Sequence, residues 1–251
     1  MVKAIIPWMG GKRRLSKHIL PEIEGFRCYV EPFCGGASMF FMKEPSPVEV
    51  INDLNGELVN LYRVVKYHLD ELVRHFRWAL VSREAFLEAK DTDPAKLTDV
   101  QRAARFYYLM KTCFGAKPSG QTFGTSKSSP ARLNLLRMEE DLSSAHLRLA
   151  RTTIEHQSWE KCINTYDGDE TCFFLDPPYW QLTGYGSGFD FFQYETMADL
   201  MRQSKGKVVL SINDHPDIRR VFEGLRMIEV GITYTVGGGK AAAGELIITN
   251  R

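Results

Sequence analysis

The chain is poorest where a soluble protein usually is not. Between Gln101 and Met138 there is no Asp or Glu, although the whole sequence carries 31 acidic against 32 basic residues. The same stretch holds Arg102, Arg105, Lys111, Lys117, Lys127, Arg132 and Arg137. A net charge of +1 says nothing about partners, but a local excess of one sign suits a surface that meets phosphates. No apolar run approaches the ~18 residues of a membrane helix, so no membrane partner is expected. Lys12, Arg13 and Arg14 follow the short apolar start rather than precede it, the reverse of a secretory signal. The five cysteines are odd in number and form no C-x-x-C pair. A disulfide framework or a zinc site is therefore not expected, and a reducing, cytoplasmic setting is. No metal is implied.

Phosphate-loop signatures are missing too. Gly10-Gly11-Lys12 tempts, but Ile6 stands where a Walker pattern needs Gly and Arg13 where it needs Ser or Thr. Gly237-Gly238-Gly239-Lys240 fails in the same way, at Tyr234 and Ala241. Nucleoside triphosphate hydrolysis is not the chemistry these loops encode. No G-x-G-x-x-G occurs at the first strand–helix turn either.

What is present centres on Thr171-Cys172-Phe173-Phe174-Leu175-Asp176-Pro177-Pro178-Tyr179-Trp180. Four apolar residues before a breaker read as a short strand buried on both faces. Pro177 and Pro178 lack N–H groups, so the ladder stops there. The chain leaves at the carboxyl end of the strand, where open α/β sheets place ligands. Asp176 offers an acceptor at that edge and Tyr179 a flat face. By average usage, Asp-Pro-Pro-Tyr arises by chance in roughly one chain of this size in a thousand.

The rest of the chain alternates. Strands are expected at 26–33, 48–53, 152–156, 172–176, 208–213, 231–236 and 245–249, with helices opening at Met39 and spanning 55–67. The middle is different: 70–80, 83–90, 97–112 and 132–149 read as helices, and 114–126, rich in Gly, Ser and Thr, as a loop or weak hairpin. The fold class expected is α/β, a Rossmann-like sheet with helices on both faces plus a mainly helical insertion. Both ends of the chain (1–67 and 151–251) form the catalytic domain and 68–150 the insertion.

Further candidates line up at strand ends. Glu31-Pro32-Phe33-Cys34-Gly35-Gly36 puts glycines between a strand and a helix, where backbone can approach a ligand beside helix N–H groups. Asp53 closes the next strand. The Gly35-to-Asp53 spacing is near the ~20 residues between a glycine turn and a ribose-binding acid; capping the helix that follows is the alternative. Ser211-Ile212-Asn213-Asp214-His215 ends another strand, with His215 read as a helix-start residue.

Taken in order, Trp8-Met9-Gly10-Gly11-Lys12, Glu31-Pro32-Phe33-Cys34-Gly35-Gly36, Asp53, an insertion, and Asp176-Pro177-Pro178-Tyr179 resemble the Dam-like family of DNA adenine N6-methyltransferases. The resemblance implies S-adenosylmethionine as methyl donor and double-stranded DNA as partner. It implies that Trp8, Gly10, Gly11, Lys12, Glu31, Phe33, Gly35, Asp53 and Asp176 border the cofactor, with Trp159 against its adenine. It makes Asp176, Pro177, Pro178 and Tyr179 the catalytic segment, and the insertion the DNA-recognition domain. There Arg105, Lys111, Lys117, Gln121, Thr122, Lys127 and Arg132 are the candidates for DNA contact. In that insertion Cys113-Phe114-Gly115-Ala116-Lys117 and Gln121-Thr122-Phe123-Gly124 depart from the hairpin of members that read GATC, so no GATC target carries over.

The chemistry agrees with the residues. An exocyclic amino nitrogen is a poor nucleophile because its lone pair is delocalised into the ring. Acceptors aimed at its N–H bonds, here the Asp176 carboxylate and the Pro177 carbonyl, localise that lone pair. Their pull is strongest as positive charge grows in the transition state. No Pro-Cys dipeptide occurs, against a thiolate enzyme acting at cytosine C5. N4 of cytosine, N6 of adenine in RNA and a protein glutamine amide are alternative acceptors, and a non-catalytic nucleic-acid-binding module is the alternative from another class.

Overall fold

The structure, a computed structural model, describes residues 2–8, 10–116, 120–125, 127–128, 133–181, 189–236 and 239–251, with backbone alone over 232–236 and 239–243. In chain order the elements are α1 (Ser16–Ile23), β1 (Cys28–Glu31), α2 (Ser38–Met42), β2 (Val48–Asn52), α3 (Gly56–Tyr67), α4 (Leu69–Phe76), α5 (Arg83–Asp91), α6 (Asp99–Thr112) and α7 (Leu135–Leu149). They continue with β3 (Thr153–Glu155), α8 (Trp159–Tyr166), β4 (Thr171–Leu175), α9 (Phe191–Gln203), β5 (Lys207–Asn213), α10 (Pro216–Val221), β6 (Arg226–Val236) and β7 (Gly239–Thr249). The mixed α/β class is as expected. Among the described residues of 114–126, Phe123 forms an isolated antiparallel bridge to Cys113.

The chain divides into two compact units. One comprises 13–34, 44–52 and 157–251. Its strands are hydrogen-bonded in the order β2-β1-β4-β5-β7-β6. β2, β1, β4 and β5 run parallel, and β7 returns antiparallel to both β5 and β6. β4 is central and buried at all five positions, which is why its sequence is an unbroken apolar run rather than an alternation. Val30, Val50, Phe173, Leu175, Leu210 and Ile212 form a core with Trp159 and Ile163 of α8, Tyr194 and Met197 of α9, and Ile218 of α10. Each such side chain contributes roughly 1.5–3 kcal/mol by leaving water. On α1, Ile19 and Ile23 are fully buried, and the helix lies against β4 and β5. Its Glu22 binds Lys207 of β5 at 2.6 Å.

The other unit comprises 1–12, 35–43 and 53–156. It gathers α3 with the helices of the middle of the chain, so the compact division falls earlier than the expected insertion boundary at residue 68. The cause is side-chain pairing across α3 and α6. Asn60 donates to the Asp99 carbonyl at 2.8 Å, and Arg102 donates through Nε to Glu57 at 3.1 Å. α6 starts on a capping box between Thr98 and Gln101, which satisfies N–H groups that a helix end leaves open. Phe76 of α4 meets Tyr107 of α6 edge-on.

Candidate functional site

In the sheet-bearing unit the parallel strands end along one edge, and the candidate residues follow them. Leu175 and Leu210 are paired across β4 and β5. Asp176 thus leaves the sheet one residue beyond a pair shared with β5. It is half-buried, Pro177 is buried, and Pro178, Tyr179 and Trp180 are half-buried.

The segment after Asp176 is held from several directions. The Tyr194 hydroxyl of α9 donates to the Pro178 carbonyl at 2.6 Å. Asn213, the last residue of β5, donates through Nδ2 to the Trp180 carbonyl at 3.1 Å. Trp180 itself donates to Asp217 at 3.3 Å, and its ring lies 4.8 Å from that of Phe191 at a tilt of 52°. The Tyr179 hydroxyl donates to Glu245 of β7. Burial, then the nearby charges of Asp176 and Glu245, hold that phenol well above its ordinary range, so it remains an O–H donor at neutral pH.

β1 delivers Glu31 and Phe33 to the same unit. Glu31 is buried and accepts from the Tyr29 hydroxyl at 2.7 Å. The ring of Phe33 stacks on Trp159, centroids 6.0 Å apart at 28°. Trp159 is anchored by its indole N–H on Gln193 at 2.9 Å. Asn52, at the end of β2, ties this group together. Its amide donates to the carbonyls of Pro32 and Gln157, and its oxygen accepts from the Gln157 N–H at 3.0 Å. Asn52, Tyr194 and Glu245 are site-bearing residues that the sequence reading did not single out. Only Asn52 carried a local signal, its place beside Asp53 at a strand end.

The helical unit holds the remaining cofactor candidates. Asp53 accepts from the Gly35 N–H at 2.9 Å through one oxygen and from the Asn55 N–H at 2.9 Å through the other. Asn55, not Asp53, caps α3, its side chain accepting from the N–H groups of Glu57 and Leu58. Burial pushes the Asp53 carboxyl up, while the N–H groups of Asn55, Gly35 and Leu54 and the charge of His156 pull the other way. Of the two readings of Asp53, the helix-cap role falls to its neighbour.

The glycine turn has a different immediate tenant from the one expected. Gly35 has φ +47°, and a Cβ there would lie 2.6 Å from Trp8 Nε1; a Cβ on Gly36 would lie 2.9 Å from Trp8 Cβ. The glycines make room for the Trp8 side chain. The Gly35 carbonyl accepts from the Tyr62 hydroxyl at 2.7 Å. Lys12 is buried and donates to the Gly10 carbonyl at 2.6 Å. Trp8, Gly10, Gly11, Lys12, Gly35 and Asp53 therefore all belong to the helical unit, whereas Glu31, Phe33, Trp159 and the Asp176–Tyr179 segment belong to the other.

The basic stretch is not uniformly a free surface. Arg105 of α6 donates to the carbonyls of Ala89 and Lys90 at 2.6 and 3.2 Å, completing the last turn of α5. Arg102 is paired with Glu57 and Asp99, acids from outside the acid-free run. Lys111 lies 5.3 Å over the Tyr107 ring; burial draws its ammonium down while Asp141 supports it. Gln121 is buried with its amide on Met110 Sδ. Thr122, Lys127 and Arg137 are exposed. Lys117 and Arg132 lie outside the described residues, as do Gly237 and Gly238. Among the described residues no cluster of His, Cys, Asp and Glu forms a metal site, and no helix is long and apolar enough to cross a membrane.

A family model described as D12 class N6 adenine-specific DNA methyltransferase matches residues 8–236. The type II methyltransferase M1.LlaDCHI of Lactococcus lactis subsp. cremoris is 30% identical over 273 residues, covering 97% of this chain and 93% of that protein. The type II methyltransferase M.CviBI of Paramecium bursaria Chlorella virus NC1A is 28% identical over 232 residues, covering 89% and 87%. The DNA adenine methylase of Escherichia coli (strain K12) is 31% identical over 111 residues, covering 43% of this chain and 40% of that protein.

Proposed function

Because the chain belongs to the D12 class of N6 adenine-specific DNA methyltransferases, we propose that it transfers the methyl group of S-adenosylmethionine to N6 of an adenine turned out of duplex DNA, with Asp176–Tyr179 at the reacting base. The observation that carries this reading is the position of that segment. It leaves the carboxyl end of the central parallel strand β4 with its acid half-buried and its aromatic ring held by the hydroxyl.

Asp53 is the residue best suited to the donor's ribose. A carboxylate has about four lone-pair positions. The N–H groups of Gly35 and Asn55 bind it at 2.9 Å with that of Leu54 beside them, and those bonds fix its direction while acceptor capacity remains for a ribose hydroxyl. The chemistry of the candidate residues, carboxylates and aromatic faces, suits a cationic sulfonium and an adenine ring. When bound, the donor supplies an electrophilic methyl carbon and needs no metal or covalent enzyme intermediate.

This chain's residues do the rest. The Asp176 carboxylate and the Pro177 carbonyl accept from the two N–H bonds of the adenine N6, drawing the nitrogen toward tetrahedral geometry. The carboxylate is favoured most when positive charge develops on that nitrogen. The Tyr179 face stacks on the extruded base, worth roughly 1–3 kcal/mol by analogy with single-strand binding. Alignment of amine and methyl carries much of the rate. DNA recognition falls to the helical middle of the chain, with exposed Lys127 and Thr122 the first candidates for backbone and base contact.

The test is direct. The protein is incubated with methyl-labelled S-adenosylmethionine and unmodified DNA, and the DNA is digested to nucleosides. Labelled N6-methyladenine is the expected product, and sequencing the modified positions gives the recognition site. Label in any other nucleoside, or in none while the donor binds, overturns the reading.

A further inference from the structure

We propose that Glu245, on β7, is a positioning residue for methyl transfer: through the Tyr179 hydroxyl it fixes the angle of the ring on which the target base rests. The proposal rests on the reading of Tyr179 as the stacking face.

Glu245 is only 2% exposed and is followed by the fully buried Leu246, Ile247 and Ile248. Burying a carboxylate is costly unless hydrogen bonds compensate. An apolar side chain would fill this strand position at no such cost. One group that meets the carboxylate is the phenol of the catalytic segment, 66 residues earlier in the chain. Stacking alone needs no hydroxyl, since a phenylalanine ring presents the same face. The hydroxyl is a handle, and Glu245 holds it.

The topology puts the handle where it can act. β7 runs antiparallel to β5, and Glu245 is paired with Asn213. Directly opposed residues send their side chains to the same face of a sheet. Asn213 is also the residue that fixes the Trp180 carbonyl. One cross-strand pair therefore serves neighbouring positions of the catalytic segment: Asn213 the backbone after Tyr179, Glu245 the tip of its side chain. The Tyr194 hydroxyl on the Pro178 carbonyl fixes the backbone before it. With both flanks tied, the remaining freedom of Tyr179 is rotation about its side-chain bonds. The bond to Glu245 removes that freedom before any base arrives, which is how a binding face is preorganised.

The experiment compares Glu245→Leu, Glu245→Gln, Tyr179→Phe and the double variant Glu245→Leu/Tyr179→Phe on a duplex containing the site found by sequencing. Glu245→Leu and Tyr179→Phe are each expected to lower kcat between about ten- and a hundred-fold, the scale of a small misplacement at a reacting centre. The KM for S-adenosylmethionine stays unchanged. The double variant is no worse than Tyr179→Phe alone, because the bond to Glu245 is already gone. Glu245→Gln, which keeps an acceptor oxygen, recovers part of the loss. With 2-aminopurine at the target adenine, both single variants leave the extruded base brighter, because it stacks less well. Additive losses, a loss confined to donor affinity, or unaltered kcat in Tyr179→Phe each overturn the proposal. If Glu245→Leu does not fold, Tyr179→Phe and Glu245→Gln still decide it: full activity in the first refutes it. If the unaltered protein makes no N6-methyladenine, the stacking assignment itself falls. If it does and these variants match it, only the role of Glu245 falls.

Discussion

The segment Asp176–Trp180 and the helix α6 with its following loop are both rich in polar groups, yet they are tied down for different ends. At Asp176–Trp180 the bonds come from four other elements and converge on a short segment: Tyr194 on Pro178, Asn213 and Asp217 on Trp180, Glu245 on Tyr179. Asp176 is half-buried at the edge of that frame. Around α6 the cations run outward to hold the scaffold. Arg105 completes α5, Arg102 joins α6 to Glu57 of α3, and Lys111 lies over Tyr107. The first pattern fixes the direction of the groups proposed to meet the base. The second fixes helices to one another. A run of charge in sequence does not tell these uses apart, because the partners of each charge lie elsewhere in the chain.

The sharpest way to break this contrast is at Asp176. Asp176→Ala removes an acceptor that acts most strongly in the transition state, so kcat is expected to fall by about 10²–10³-fold or more. The melting temperature and the affinity for S-adenosylmethionine, read by calorimetry, stay near those of the unaltered protein. A variant that loses donor binding or unfolds with its activity would make Asp176 part of the frame rather than the group the frame presents.

Arg105 tests the other side with a smaller effect. Arg105→Ala takes charged donors from two carbonyls at the end of α5, and such bonds are each worth about 1.5–3 kcal/mol at most. Denaturant unfolding is expected to show a loss of about 1–3 kcal/mol, with kcat per folded molecule unchanged. An Arg105→Ala protein of full stability that binds DNA less tightly would return this residue to the DNA surface.

These two residues also show what was legible in the sequence. β4 and its exit were readable because their causes are local: four apolar residues, then prolines that cannot extend a ladder. His215 as a helix start was readable for the same reason, and its ring nitrogen does accept from the Asp217 N–H. Glu245 and Tyr194 were not readable, since nothing near them in sequence names a partner on the segment they hold. Glycines 35 and 36 suggest room for a ligand, whereas the side chain that uses their missing Cβ atoms is Trp8, 27 residues earlier than Gly35. For Asp53 the spacing to Gly35 leaves two readings, and the capping one goes to Asn55, while the ribose-binding one is a proposal. The compact division near residue 53 was hidden because the Glu57–Arg102 and Asn60–Asp99 contacts that draw α3 to α6 are long-range.

Lys127 gives the smallest effect and the finest distinction. It is exposed, in the same acid-free run as Arg105, and binds DNA only if its ammonium neutralises a phosphate. Each phosphate neutralised releases counterions and adds about 0.9 to the slope of log affinity against log salt on B-form DNA. Lys127→Ala should therefore shallow that slope by about 0.9 on any duplex, cognate or not, because a phosphate contact carries no sequence information. Its unfolding curve should overlay that of the unaltered protein, since no scaffold bond is lost. Arg105→Ala should do the reverse, moving the unfolding curve and leaving the slope alone. If both variants shift the salt slope equally, the basic stretch acts as one surface, and the division between scaffold cations and DNA cations drawn at α6 is wrong.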